Sequence, residues 1–325
     1  MLVYIIRRLL ISIPVVVLAS VVVFFGVSMV GDPLGDLRAT PGVSQETIQN
    51  IVERRHLDQP LYIQYMHWVD SAVTEGFGTT IGGRDIWPIL RRSIWFTLQL
   101  VIAAEVIALA LGIGLGVISA KRQYSVFDYA TTTWSFLGYS VPIFWFALIL
   151  QVIVTRFYEA TGVRIFYTAG LSSIDVERGF NLVFLVDRMQ HLALPVAAIA
   201  YVSIAVYSRY MRSSMLEVIH SDYVRTARAK GVREAVITRK HTLRNALIPI
   251  VTLAALNFGT VLSGTIVTEF IFAIPGMGRF FIEALNAREV YSVMAFLMVT
   301  TIVVIIGNLV ADILYGYLDP RIRYD

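Results

Sequence analysis

Thr97-Leu-Gln-Leu-Val-Ile-Ala-Ala-Glu-Val-Ile-Ala-Leu-Ala-Leu-Gly-Ile-Gly-Leu-Gly-Val-Ile-Ser119 carries a single charge, Glu105, in 23 residues. About 20 such residues in a helix cross a hydrocarbon core of roughly 30 Å, and only a helix or a closed barrel satisfies its backbone there. Five more stretches read the same way: Leu9–Val30, Thr131–Tyr158, His191–Tyr210, Ala246–Thr268 and Val293–Tyr315. Of these, His191–Tyr210 is the least apolar. The chain therefore reads as an all-α integral membrane protein of about six transmembrane helices.

Composition agrees. Of 325 residues, 57% are hydrophobic and 15% charged, against about 25% charged in a soluble domain. Leu9–Val30 follows Arg7 and Arg8, but its apolar run exceeds the 7–15 residues of a signal-peptide core, and no small-x-small cleavage site follows. It reads as a retained anchor.

Composition also excludes chemistry. There is no cysteine, hence no disulfide, thiolate metal site or cysteine nucleophile. The five histidines show neither HxxxH nor HExxH spacing, so no metal site is expected. None of the three lysines, Lys121, Lys230 and Lys240, ends a GxxxxGK[ST] run, so the chain has no P-loop. If ATP drives this protein, another chain binds it.

Basic residues in short loops mark the cytoplasmic side. The segment between spans four and five holds Arg209, Arg212, Arg225, Arg228, Lys230, Arg233, Arg239, Lys240 and Arg244 against Glu217, Asp222 and Glu234. Lys121 and Arg122, Arg321 and Arg323, and Arg7 and Arg8 fall on the same side when there are six spans. Both termini then lie inside, and Gly31–Phe96 lies outside, with six basic and eight acidic residues. Its Tyr62, Tyr65, Trp68 and Trp87 predict a small external element of short helices. The organisation expected is an N-terminal helix over 1–30, an extracytoplasmic element over 31–96, and a permease core over 97–325 with a cytoplasmic loop at 211–245.

Within the spans, Gly112 with Gly116, and Gly259 with Ser263, have the small-xxx-small spacing that lets helices approach closely. Pro142 and Pro195 each remove a backbone donor and favour a kink. Glu105, Asn308 and Asp312 are polar groups in or near spans. Ionisable groups at depth face a protein interior or a water-filled path, which makes Glu105 a candidate for the translocation path, with helix-to-helix hydrogen bonding as the plainer reading.

The most informative loop segment is Ser221-Asp-Tyr-Val-Arg-Thr-Ala-Arg-Ala-Lys-Gly231. Ser221 suits an N-cap, Asp222 and Lys230 complement the dipole at either end, and Gly231 suits the left-handed position beyond the C-cap. A short, exposed helix is predicted, with Ala227 and Ala229 giving it a slim surface for a partner's groove. A solvated basic loop on anionic lipid headgroups is the simpler alternative. Nucleic-acid binding is not expected, because no aromatic platform accompanies the charge.

These residues resemble the inner-membrane permease subunits of ABC importers for dipeptides, oligopeptides and nickel, the OppB/DppB type. The resemblance covers nearly the whole chain. It runs through Ile5-Ile6-Arg7-Arg8-Leu9-Leu10, Gly31-Asp32-Pro33 and Leu57-Asp58-Gln59-Pro60-Leu61-Tyr62-Ile63-Gln64-Tyr65. It continues in Asp222–Gly231 with Arg244-Asn245-Ala246-Leu247-Ile248-Pro249, in Glu269-Phe270-Ile271-Phe272 with Pro275-Gly276-Met277-Gly278, in Asn308, Leu309 and Asp312, and in Asp319–Arg323. Asp222–Gly231 is similar to that family's form of the EAA loop, with Arg225-Thr226-Ala227 in place of Glu-Ala-Ala.

The resemblance implies a type I ABC importer permease architecture in a bacterial inner membrane. It implies a homologous second permease lining one path, one or two ATPase subunits or domains using ATP and Mg, an extracytoplasmic solute-binding protein and a peptide substrate. On this reading the chain binds no cofactor and does no catalysis. Asp222, Tyr223, Arg225, Thr226, Ala227, Arg228, Ala229, Lys230 and Gly231 form the coupling helix that meets an ATPase. A secondary transporter or channel working alone is the alternative, and a membrane-embedded enzyme ranks last.

Overall fold

The computed structural model describes residues 2–29, 34–39, 41–177, 179 and 181–318. It is built of helices: α1 (Leu2–Ser28), α2 (Gly35–Ala39), α3 (Gln45–Arg54), α4 (Leu61–Thr74), α5 (Ile86–Lys121), α6 (Val126–Ser140), α7 (Ile143–Thr161), α8 (Leu182–Ile219), α9 (Asp222–Ala229), the single turn α10 (Glu234–Val236), a π-helical turn over Ile237–Thr242, α11 (Leu243–Ile271), α12 (Met277–Asn286) and α13 (Val290–Leu318). Among the described residues, α1, α5, α7, α8 and α13 contain stretches long and apolar enough to cross a membrane. With its 29 residues, α11 covers the predicted fifth span.

The predicted third span, 131–158, is not one continuous helix. The chain leaves α6 at Ser140, and Pro142 stands as the N-cap of α7 with extended backbone (φ −60°, ψ 135°). A proline here breaks the ladder and pushes Val141 into extended geometry. Pro195 does the opposite. It sits buried inside a continuous α8, whose 38 residues far outrun the 20 read from hydropathy. Gly31-Asp32-Pro33 and Asp319–Arg323 lie outside the described residues, as do the side chains of Asp312 and of the Gly259/Ser263 pair. Asn308 is exposed on α13.

The chain divides into two compact units, one holding Leu98–Ile274 with the segment from Gly307 onward, the other Leu2–Thr97 with Pro275–Ile306. In the first, α8 is the central element, packed against α6, α7 and α11 and burying Leu194, Ile199, Ile204, Tyr207, Met211 and Met215. Gly112 and Gly116 of α5 let that helix close on α8. A Cβ on Gly112 would lie 2.6 Å from the Tyr207 Cβ, and one on Gly116 would lie 2.6 Å from both the Met211 Cβ and the Ser208 carbonyl oxygen. Gly114, between them, meets nothing within 4 Å, so two of the three glycines make the seam. Gly116→Val is expected to cost about 2–3 kcal/mol through overpacking, lowering the thermal midpoint of the purified chain, whereas Gly114→Ala should leave it unchanged.

In the second unit the segment between α1 and α5 folds as short helices. α3 starts at Ser44, whose Oγ accepts from the Thr47 N–H at 3.1 Å, an ordinary N-cap. α4 packs against α1. Phe24 of α1 meets Tyr65 edge-on at 5.5 Å and Trp68 at 5.7 Å, and the Ser20 and Tyr65 hydroxyls lie 2.8 Å apart. The Glu289 carboxylate accepts the Ile81 N–H at 2.9 and 3.0 Å.

Candidate functional site

The predicted loop helix is present as α9, a separate eight-residue helix directly after α8. Its C-terminus is a Schellman closure: the Val232 N–H donates to the Ala227 carbonyl at 3.3 Å and the Gly231 N–H to that of Arg228 at 3.0 Å. Gly231 takes φ +73°, which costs a glycine little. Ser221 holds the N-cap position, but its Oγ donates backward to the Val218 carbonyl at 2.6 Å instead of accepting from α9. The cap predicted from Ser221 is thus geometric only.

The two alanines do not share a face. Ala227 is buried with Val224 against Ile237, with Val218 and Val232 packed around them. Ala229 is exposed, as are Asp222, Tyr223, Arg225, Thr226, Arg228 and Lys230. In a helix of two turns, Val224 and Ala227 at i, i+3 form the apolar anchoring stripe. Two polar ties hold the helix in place, through Arg228 and through Tyr223. Arg228 Nε donates to Glu234 Oε1 at 2.5 Å, and this guanidinium holds the Glu234 carboxyl below the usual carboxylate range. Asn245 Nδ2 donates to the Tyr223 hydroxyl at 2.8 Å and to the His241 carbonyl at 3.0 Å. The π-helical turn, with Ile237 and Thr242 each 1% exposed, carries this anchoring directly into α11.

A second arrangement at the same end of α8 escaped the sequence reading. Asp128, 2% exposed, receives Arg212 Nε at 2.6 Å and Nη2 at 2.7 Å, the Tyr124 N–H at 2.9 Å and the Ser119 hydroxyl. One carboxylate thereby ties the end of α5, the following turn, the start of α6 and α8, in the bidentate geometry suited to arginine. Arg212 was counted in the sequence only as a loop charge. The available signal was Ser125, whose Oγ accepts the Asp128 N–H at 3.2 Å and so marks a helix start with an acidic first turn.

Glu105 is bonded to a neighbouring helix. The Tyr207 hydroxyl donates to its Oε1, Asn257 Nδ2 donates to the Tyr207 hydroxyl at 3.2 Å, and the buried Oε2 has no partner among the described residues. Asn257 also reaches a groove of about 630 Å³ whose wall includes Ser135, Tyr139, Ser203, Arg209 and Tyr210. Glu105 itself is not part of that wall.

The residues 112–324, which contain α9, the Asp128–Arg212 pair and the whole lining of this groove, match the family of binding-protein-dependent transport system inner membrane components. Residues 1–109 match its N-terminal companion. The chain belongs to this family. Among its relatives, the oligopeptide transport system permease protein AppB of Bacillus subtilis is 38% identical over 99% of both chains. The dipeptide transport system permease protein DppB of Escherichia coli is 35% identical over 100% of this chain and 99% of its own. A solved structure of the MetNI methionine ABC transporter in an inward-facing conformation superimposes with TM-score 0.52, at 16% identity, over 71% of this chain and 96% of its own, a likeness of fold. The chain is therefore a multi-pass membrane permease subunit with the type I importer architecture, and α9 lies within its family-defining segment.

Proposed function

We propose that this chain is one of two permease subunits of an ATP-driven peptide importer, lodged in a bacterial inner membrane with both termini cytoplasmic. The observation that carries the proposal is α9, a short helix anchored on one stripe and presenting Tyr223, Arg225 and Ala229 outward, on a chain without a P-loop. A rigid helix held between two long helices passes a rigid-body movement upward. Separate ATPase subunits, using ATP and Mg, engage Asp222–Gly231 from below, and their closure moves α8 and α11 through the Schellman turn and the π-helical turn. The Asp128–Arg212 clamp makes α5, α6 and α8 follow as a block.

The groove lined by Ser135, Tyr139, Arg209 and Asn257 forms this subunit's half of the path, with the homologous permease closing it. Glu105 acts on the groove from behind, setting the orientation of Asn257 through Tyr207. An external binding protein delivers the peptide. The chain itself carries no cofactor and catalyses no reaction. Relatives named for oligopeptide and dipeptide transport support the substrate class.

Purification of the tagged chain from its native membrane in mild detergent tests this. A second permease and P-loop ATPases should accompany it, and vesicles reconstituted with all of them and the binding protein should accumulate labelled peptide only with ATP. A chain that comes alone, with crosslinking also finding no ATPase, returns the protein to the class of self-sufficient transporters and makes Glu105 the residue to examine.

A further inference from the structure

The second unit contains a cleft of about 470 Å³, lined by residues between Ile51 and Gly83 and by Tyr291, within the range of small-ligand sites. Two of its lining side chains bring buried nitrogen donors that have no hydrogen-bond partner among the described residues: Arg55 Nη1 and Trp68 Nε1. Trp68 is 2% exposed. Native proteins pair their buried donors, so two orphans lining one cleft call for an acceptor.

The guanidinium is also held in place. Arg55 Nη2 donates to the Thr79 carbonyl at 2.8 Å, and its carbon lies 4.4 Å over the Tyr291 ring. One nitrogen is thus spent on the backbone and the plane is fixed on an aromatic face, leaving Nη1 free. A charged donor and a neutral indole donor lining one cleft suit a carboxylate. Asp70 and Glu75, both exposed, lie in the same wall and supply the opposite charge nearer solvent.

We propose that this cleft is an extracytoplasmic binding site for a short zwitterionic peptide. The peptide's C-terminal carboxylate takes Arg55 and Trp68 at the base, and its ammonium group meets Asp70 and Glu75 at the rim. The peptide class rests on the import function proposed above. The carboxylate requirement rests on the two unpaired donors alone. Such a site retains substrate on the extracytoplasmic element.

The test uses the full chain in lipid nanodiscs, with no ATPase present, titrated calorimetrically with dialanine, dialanine amide and N-acetyl-dialanine. Free dialanine should bind one to one. Removing the carboxylate as the amide should weaken binding about tenfold or more, the usual cost of losing a hydrogen bond to a charged group. Arg55→Met should weaken dialanine to the same degree, and acetylation of the ammonium should weaken it about threefold.

Equal affinity for dialanine and its amide overturns the site without reliance on any variant. Absence of binding at millimolar peptide also overturns it and assigns the two donors to water. N-acetyl-dialanine binding as tightly as dialanine overturns the peptide assignment. Because the readout needs neither ATP nor a partner chain, its failure is distinguishable from failure of the importer function, which co-purification decides.

Discussion

Ala229→Glu should abolish ATP-driven uptake while leaving the folded chain in the membrane. Ala229 is exposed on α9, opposite the Val224 and Ala227 anchor, so the substitution removes no packing, and an exposed change of this kind shifts stability by no more than about 0.5 kcal/mol. A glutamate there adds bulk and a negative charge to the face that meets the ATPase in the proposed function. At the centre of a small interface such a change costs about 2 kcal/mol or more, or roughly thirtyfold in affinity. The check pairs uptake with retention of the ATPase on the tagged permease. Unimpaired uptake with the ATPase still bound would remove α9 from the coupling account. Ala227→Glu makes a useful contrast: it drives a charge into the Ile237 cluster and should destabilise the loop itself, visible as protease sensitivity before any partner is added.

Arg212→Met should destabilise the permease strongly. It leaves the Asp128 carboxylate, 2% exposed, with the Tyr124 N–H and the Ser119 hydroxyl but no countercharge. Breaking a buried pair by deleting one partner costs about 3–5 kcal/mol, and the lower end applies because 27% of the Arg212 side chain reaches solvent. Unfolding of the detergent-solubilised chain in denaturant measures it. Adding Asp128→Asn to Arg212→Met should recover much of the loss, since the uncompensated charge is then gone. A single variant as stable as the native chain would show the pair to be solvated and remove its role as a clamp.

The sequence alone determined the local features of this protein. Six apolar stretches read as spans, and five helices long and apolar enough to cross a bilayer stand among the described residues, because length and hydropathy are properties of a single helix. The start of α9 at Asp222 and its stop ahead of Gly231 were legible because an acidic first turn and a glycine with positive φ act within a few residues. The absence of a P-loop, and the resemblance carried by ordered motifs, pointed to a permease that depends on a separate ATPase.

Tertiary structure decided the rest. It broke the third span at Pro142 and kept α8 continuous through Pro195, a choice that depends on what surrounds each proline. It turned Ala227 inward and Ala229 outward, which composition could not separate because both are alanine. It turned the Ser221 hydroxyl away from the helix it was expected to cap, toward Val218. Above all, it brought Asp128 to Arg212, 84 residues apart, and laid Arg55 on Tyr291. Such pairs leave no periodic trace in the chain: each partner reads locally as an ordinary polar residue, and only the packing of separate helices makes the two a unit.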